Sequence, residues 1–193
     1  MKWNLPNILT TLRLLAAPGV AVMFLYFSRP FADWLALALF ISAAATDWID
    51  GHLARRLKQV TRLGTMLDPI ADKAMVVIAL MVIIGYSPMT PWLVLPATVI
   101  VFREIFVSGL REFLGDTAGT LKVTQLAKWK TTAQMAAIAV LFAQGIFKHH
   151  GMETGTQWSG CVGLGLLWLA AGLTLITGFD YLRKASPYLR ENG

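Results

Sequence analysis

The stretch DWIDGHLARRLKQVTRLGTMLDPIADK, Asp47 to Lys73, carries four aspartates spaced 3, 18 and 4 residues apart between two charge-free apolar runs. Trp34–Thr46 precedes it and Ala74–Tyr86 follows it, 13 residues each. At 1.5 Å rise per residue such a run covers about 20 Å, against about 30 Å of bilayer hydrocarbon. Each can cross a membrane only if its helix continues into the acidic stretch. The aspartates then lie below the membrane surface, facing protein or water, and their side chains are too short to reach the headgroups. Ionisable groups at such depth are costly and point to function.

The rest of the chain agrees. Of 193 residues, 56% are hydrophobic and 15% charged, where a soluble domain carries about 25% charged. Trp158–Phe179 is 22 residues without a charge, and Ile8–Phe27 is interrupted only by Arg13. Six spans are expected, centred near residues 18, 42, 78, 98, 138 and 169. With the N-terminus in the cytoplasm, all Lys and Arg except Arg29 and Lys148 fall on the cytoplasmic side, 15 of 17. That bias places both termini inside. The net charge of +6 then reflects topology and anionic lipid, and no soluble basic face is left for nucleic acid. The N-terminal apolar segment does not read as a cleaved signal, because Arg13 interrupts it and no small-x-small site follows. The sole cysteine, Cys161, is read as packing. One membrane domain over residues 1–193 is expected.

At 100° per residue, Asp47, Asp50, Gly51, Ala54 and Arg55 share a sector of about 140°, while Asp68 and Asp72 are i,i+4 neighbours on the next element. Two antiparallel helices can thus present four carboxylates to each other, and two divalent cations would balance them. All-oxygen ligands suit Mg²⁺, Mn²⁺ or Ca²⁺ rather than zinc. Gly51 and Ala54 let a bulky group approach the backbone, and Arg55 offers a planar fork for phosphate. His52 is a bystander, and His149 and His150 belong to a solvated outer loop. The residues thus point to phosphoryl transfer or pyrophosphate cleavage at a two-metal site. A cation pathway through a transporter is the distant alternative, disfavoured because no acid continues into the outer halves of the spans.

The pattern Asp47-x2-Asp50-Gly51-x2-Ala54-Arg55-x8-Gly64-x3-Asp68-x3-Asp72 resembles the signature of the CDP-alcohol phosphotransferases at every defined position. The resemblance implies six transmembrane helices around a polar cavity open to the cytoplasm, with a short interfacial N-terminal segment. It also implies a homodimer in the cytoplasmic membrane of a bacterium, and phosphatidyl transfer from a CDP-linked donor with release of CMP. Asp47, Asp50 and Asp68 would hold two Mg²⁺ or Mn²⁺ ions, with Asp72 completing the site and serving as the base for the acceptor hydroxyl. Gly51, Ala54, Arg55 and Gly64 would contact the CDP donor.

A second basic cluster bears on the acceptor. Arg103 and Arg111 lie within about 80° on one helix face, and Lys128 opens the following span. Three cations around one cavity suit an acceptor that carries a phosphate. Lys122 and Lys130 are read as positive-inside decoration, and Glu104 as a neighbour able to orient Arg103. These segments, together with LPNILTTLR at Leu5–Arg13, resemble the phosphatidylglycerophosphate-forming branch of the family, which uses CDP-diacylglycerol and sn-glycerol 3-phosphate. By that resemblance the acceptor phosphate rests on Arg103, Arg111 and Lys128, while Asn7, Thr10 and Arg13 approach the donor. Within the family the alternative is another acceptor: phosphatidylglycerol, inositol phosphate or serine. Trp3, Trp92, Trp158 and Tyr181 are expected as interfacial anchors.

Overall fold

The computed structural model describes residues 5–57, 61–115 and 125–189. The described chain is all α-helix: α1 (Leu5–Tyr26), α2 (Phe31–Leu57), α3 (Arg62–Tyr86), α4 (Pro91–Leu114), α5 (Gln125–His149) and α6 (Glu153–Leu189). Each expected span centre falls within one of these helices, in order. The short apolar runs are completed as hydrocarbon thickness demands: α2 continues through the acidic residues to Leu57, and α3 begins at Arg62, well before its apolar half. The interfacial segment expected ahead of α1 falls on residues 1–4, outside the described residues.

Asn7–Tyr26, Pro91–Leu114 and Glu153–Leu189 are each long and apolar enough to cross a membrane, and Phe31–Thr46 is a shorter apolar helix. Large apolar side chains such as Leu15, Leu25, Phe102, Phe113 and Phe179 are exposed, whereas alanines including Ala17, Ala36, Ala79, Ala97, Ala170 and Ala185 are buried. Small residues inside and bulky apolar ones outside are how helices pack in lipid, where association depends on close backbone approach. The chain is an all-helical integral membrane protein.

Two compact units form, and their boundary falls inside α5 and α6: Met1–Pro88 with Ile138–Gly163, and Met89–Ala137 with Leu164–Gly193. In the first, α1 packs against both α2 and α3. The buried positions of α1 are Asn7, Thr10, Arg13, Ala17, Val20 and Phe24, a single stripe at steps of three and four. It is polar at its start and apolar beyond Arg13. At the far end of the stripe the Tyr86 hydroxyl donates to the Phe24 carbonyl at 2.7 Å, in the last turn of α1, where carbonyls lack an intrahelical partner. Nearby, Asp33 accepts two bonds from Arg29, at 2.7 and 2.6 Å. Gly145 lies so close that a Cβ there would fall on the Asp33 carboxylate.

In the second unit, Pro96 sits inside α4. Lacking an N–H, it cannot satisfy the carbonyl of Trp92 four residues earlier. The Trp168 indole N–H takes that place at 2.9 Å. Trp168→Phe keeps an aromatic ring but loses this donor, so a net cost of about 1 kcal/mol and a fall in Tm of about 2–4 °C are expected. Thermal unfolding in detergent micelles measures it; an unchanged Tm would remove this contact from the account of α4. Tyr181 differs from its expected role as an interfacial anchor: it is buried in a cluster with Val107, Leu114 and Ala185. Cys161 differs too, being exposed rather than packed.

Candidate active site

The start of α3 is built around one threonine. Thr61 is the N-cap, with extended backbone, and its side-chain oxygen accepts the Gly64 N–H at 3.0 Å. This meets one of the donors that a helix start leaves open. The same hydroxyl donates to Asn7 Oδ1 at 2.8 Å, so the cap also ties α3 to α1. Gly64 permits the approach, since a Cβ there would stand 2.9 Å from Asn7 Oδ1. One turn further on, Asp68 receives the Thr10 hydroxyl at 2.6 Å. Arg13 Nη2 stands 3.4 Å from Asp68 Oδ1 and 3.5 Å from Asp72 Oδ1.

Arg13 is 3% exposed, which rules out a side chain reaching for the interface. It is a buried cation held between two carboxylates that are themselves half exposed. Thr10 and Arg13 therefore reach the two aspartates from more than 50 positions away, while Asn7 meets the cap of the same helix. Asp68 and Asp72 also head the buried stripe of α3, which continues through Met75, Ala79 and Ile83. Asp47, Asp50, Gly51, Ala54 and Arg55 fall in the last turns of α2; their side chains lie outside the described residues.

Among the described residues no group of three or more His, Cys, Asp or Glu side chains forms a metal cluster. The described pair nevertheless suits a hard cation: two accessible carboxylates against one guanidinium leave excess negative charge, and every available donor is oxygen.

The basic cluster of the second unit is arranged differently from the expected triad. Arg103 Nη1 lies 3.5 Å from Glu104 Oε1, and its Nη2 lies 3.4 Å from Thr177 Oγ1. Gly178 leaves room for the arginine stem, with a virtual Cβ 3.0 Å from Arg103 Cγ. The Arg111 guanidinium stands 5.2 Å from the centre of the Tyr181 ring, a cation–π contact. The lysine that joins Arg103 is Lys130, whose Nζ lies 2.5 Å from Glu104 Oε1. Lys128 is exposed. Reading Lys130 as surface decoration is thus overturned, because it is 7% exposed and paired. Thr61 and the Glu104–Lys130 pair are what inspection of motifs missed. A threonine three residues before Gly64 hinted at the first. The second could be found from Lys130 standing four residues before Gln134, on a stripe that continues through Ile138 and Leu141.

A family profile described as CDP-alcohol phosphatidyltransferase matches residues 3–176, a family that generally uses a divalent metal. The chain is similar to a Cereibacter sphaeroides protein named CDP-diacylglycerol–glycerol-3-phosphate 3-phosphatidyltransferase, 58% identical with 99% of each chain covered. Proteins of the same name resemble it at 40% identity in Pseudomonas fluorescens, covering 98% of this chain and 94% of that one. In Haemophilus influenzae the identity is 37%, covering 100% and 98%.

Proposed function

Because the chain belongs to the CDP-alcohol phosphatidyltransferase family, we propose that it transfers the phosphatidyl group of CDP-diacylglycerol to sn-glycerol 3-phosphate, releasing CMP and forming phosphatidylglycerophosphate. The observation that carries this reading is the full-length similarity to proteins named for that reaction, on a chain that directs Thr10 and Arg13 at Asp68 and Asp72. Asp47, Asp50, Asp68 and Asp72 would hold two Mg²⁺ or Mn²⁺ ions. When bound, these supply electrostatic stabilisation of the reacting phosphoryl oxygens.

The chain's own residues do the remainder. Thr10 and Arg13 fix the carboxylates of α3. Asn7 and Gly64, through Thr61, set where that helix begins. Gly51, Ala54 and Arg55 receive the cytidine diphosphate portion of the donor. Asp72 takes the proton from the acceptor hydroxyl as that oxygen attacks the diacylglycerol-linked phosphorus and CMP leaves. Arg103 and Arg111 hold the acceptor phosphate, with Lys128 at the mouth of that subsite. One membrane domain, with a polar cavity open to the cytoplasm, completes the proposal. It lies in a bacterial inner membrane, both termini inside, as a homodimer.

Two measurements test this. Removal of divalent ions by EDTA is expected to abolish product formation, and Mg²⁺ or Mn²⁺ to restore it. Offered glycerol 3-phosphate, phosphatidylglycerol, inositol phosphate and serine in turn, the purified protein is expected to form product with the first alone. Product from an uncharged or zwitterionic acceptor would overturn the role given to Arg103 and Arg111, and undiminished turnover in EDTA would overturn the metal assignment.

A further inference from the structure

We infer that Glu104 and Lys130 are positioning residues for the acceptor subsite: Lys130 neutralises Glu104, so that Glu104 can orient Arg103 without cancelling its charge. The inference rests on the reading of Arg103 and Arg111 as acceptor-phosphate ligands. A carboxylate 9% exposed beside a phosphate-binding arginine poses a problem. Alone, it would repel the substrate phosphate and hold the guanidinium for itself. Glu104 Oε1 instead receives Lys130 Nζ at 2.5 Å, while Arg103 Nη1 stands off at 3.5 Å.

The lysine therefore carries most of the pairing, and Arg103 is aligned rather than captured. Thr177 fixes the other terminal nitrogen of Arg103. Gly178 leaves room for the stem, so the guanidinium is held at both terminal nitrogens and its stem lies against α6. Three cations and one carboxylate, Arg103, Arg111, Lys130 and Glu104, leave a net charge of +2. A phosphate monoester carries about −1.5 to −2 at pH 7, so the cluster matches it. Lys130 is not itself the phosphate ligand, because it is buried and its ammonium is already on Glu104.

The account makes a distinctive prediction, since loss of Lys130 alone lowers the net charge to +1, whereas loss of both partners restores +2. KM values for glycerol 3-phosphate and for CDP-diacylglycerol would be measured in Lys130→Met, in the double variant Glu104→Gln/Lys130→Met, and in Arg103→Ala. Lys130→Met is expected to raise KM for glycerol 3-phosphate about tenfold or more, with KM for the donor within about twofold. The double variant is expected to return within about threefold of the parent value. If the double variant remains as impaired as Lys130→Met, Lys130 touches the acceptor itself and the inference fails. It fails equally if Lys130→Met lowers only kcat. An unmoved acceptor KM in Arg103→Ala would instead sink the acceptor reading on which the inference rests. Should Lys130→Met not accumulate, Lys130→Gln, which can still donate to Glu104 but carries no charge, is read in its place: the same rise in KM for glycerol 3-phosphate supports the inference, and an unmoved one overturns it.

Discussion

Asp72→Asn is expected to lower kcat by about 10²–10⁴-fold, the usual contribution of a positioned general base, while leaving affinity for CDP-diacylglycerol within a few-fold of the parent. The side chain lies on α3 one turn beyond Asp68 and is half exposed, with Arg13 Nη2 3.5 Å from its Oδ1. Asparagine has the same shape and can still accept from Arg13, so the local packing survives. What it cannot do is take a proton. Steady-state kinetics combined with equilibrium binding of the donor separates the two roles open to this carboxylate. Donor affinity that collapses together with kcat would mean that Asp72 chiefly holds metal, and the base would have to be sought elsewhere.

Arg13→Gln is expected to reduce kcat by about 10–100-fold, because misplacing reacting groups by as little as 1 Å has costs of that order. Arg13 is the buried cation to which both described carboxylates are referred. Without it, Asp68 and Asp72 stand on consecutive turns as two like charges with no buried cation between them, while Thr10 still donates to Asp68. Arg13→Lys restores the charge but not the planar fork, so partial recovery is expected. The readout is kcat at saturating substrates, with thermal stability followed in parallel. A kcat within about threefold of the parent in Arg13→Gln would show that the aspartates are held in register by something other than Arg13.

The six helices were legible because hydrocarbon thickness is a hard constraint. Trp34–Thr46 and Ala74–Tyr86 are too short to cross alone, and the charged residues beside them had to be helical, as α2 and α3 are. The spacing of Asp68 and Asp72 was legible because a shared helix face follows from a four-residue step. Their attachment to α1 was not. Thr10 to Asp68 and Arg13 to Asp72 are contacts between residues 58 and 59 positions apart, and no local period encodes them. Arg13 was expected near the donor, with no sign in its apolar neighbours that it would sit between two aspartates. The stripe Asn7, Thr10, Arg13, Ala17, Val20 held the signal that it faces inward.

Lys128 and Lys130 show a different limit. Composition treats them alike, yet two residues on a helix turn the side chain by about 200°, and that turn separates an exposed lysine from one paired with Glu104. Tyr181 was misread for the same reason: an aromatic near a helix end suits an interface, but its step of four from Thr177 and to Ala185 puts it on the buried face of α6.

The central claim is tested most directly by CMP release from CDP-diacylglycerol by the purified, folded protein with Mg²⁺, in the presence and absence of sn-glycerol 3-phosphate. The account predicts CMP only when both substrates are present, formed one for one with phosphatidylglycerophosphate. CMP released at the same rate without glycerol 3-phosphate, or no CMP with both, would contradict it.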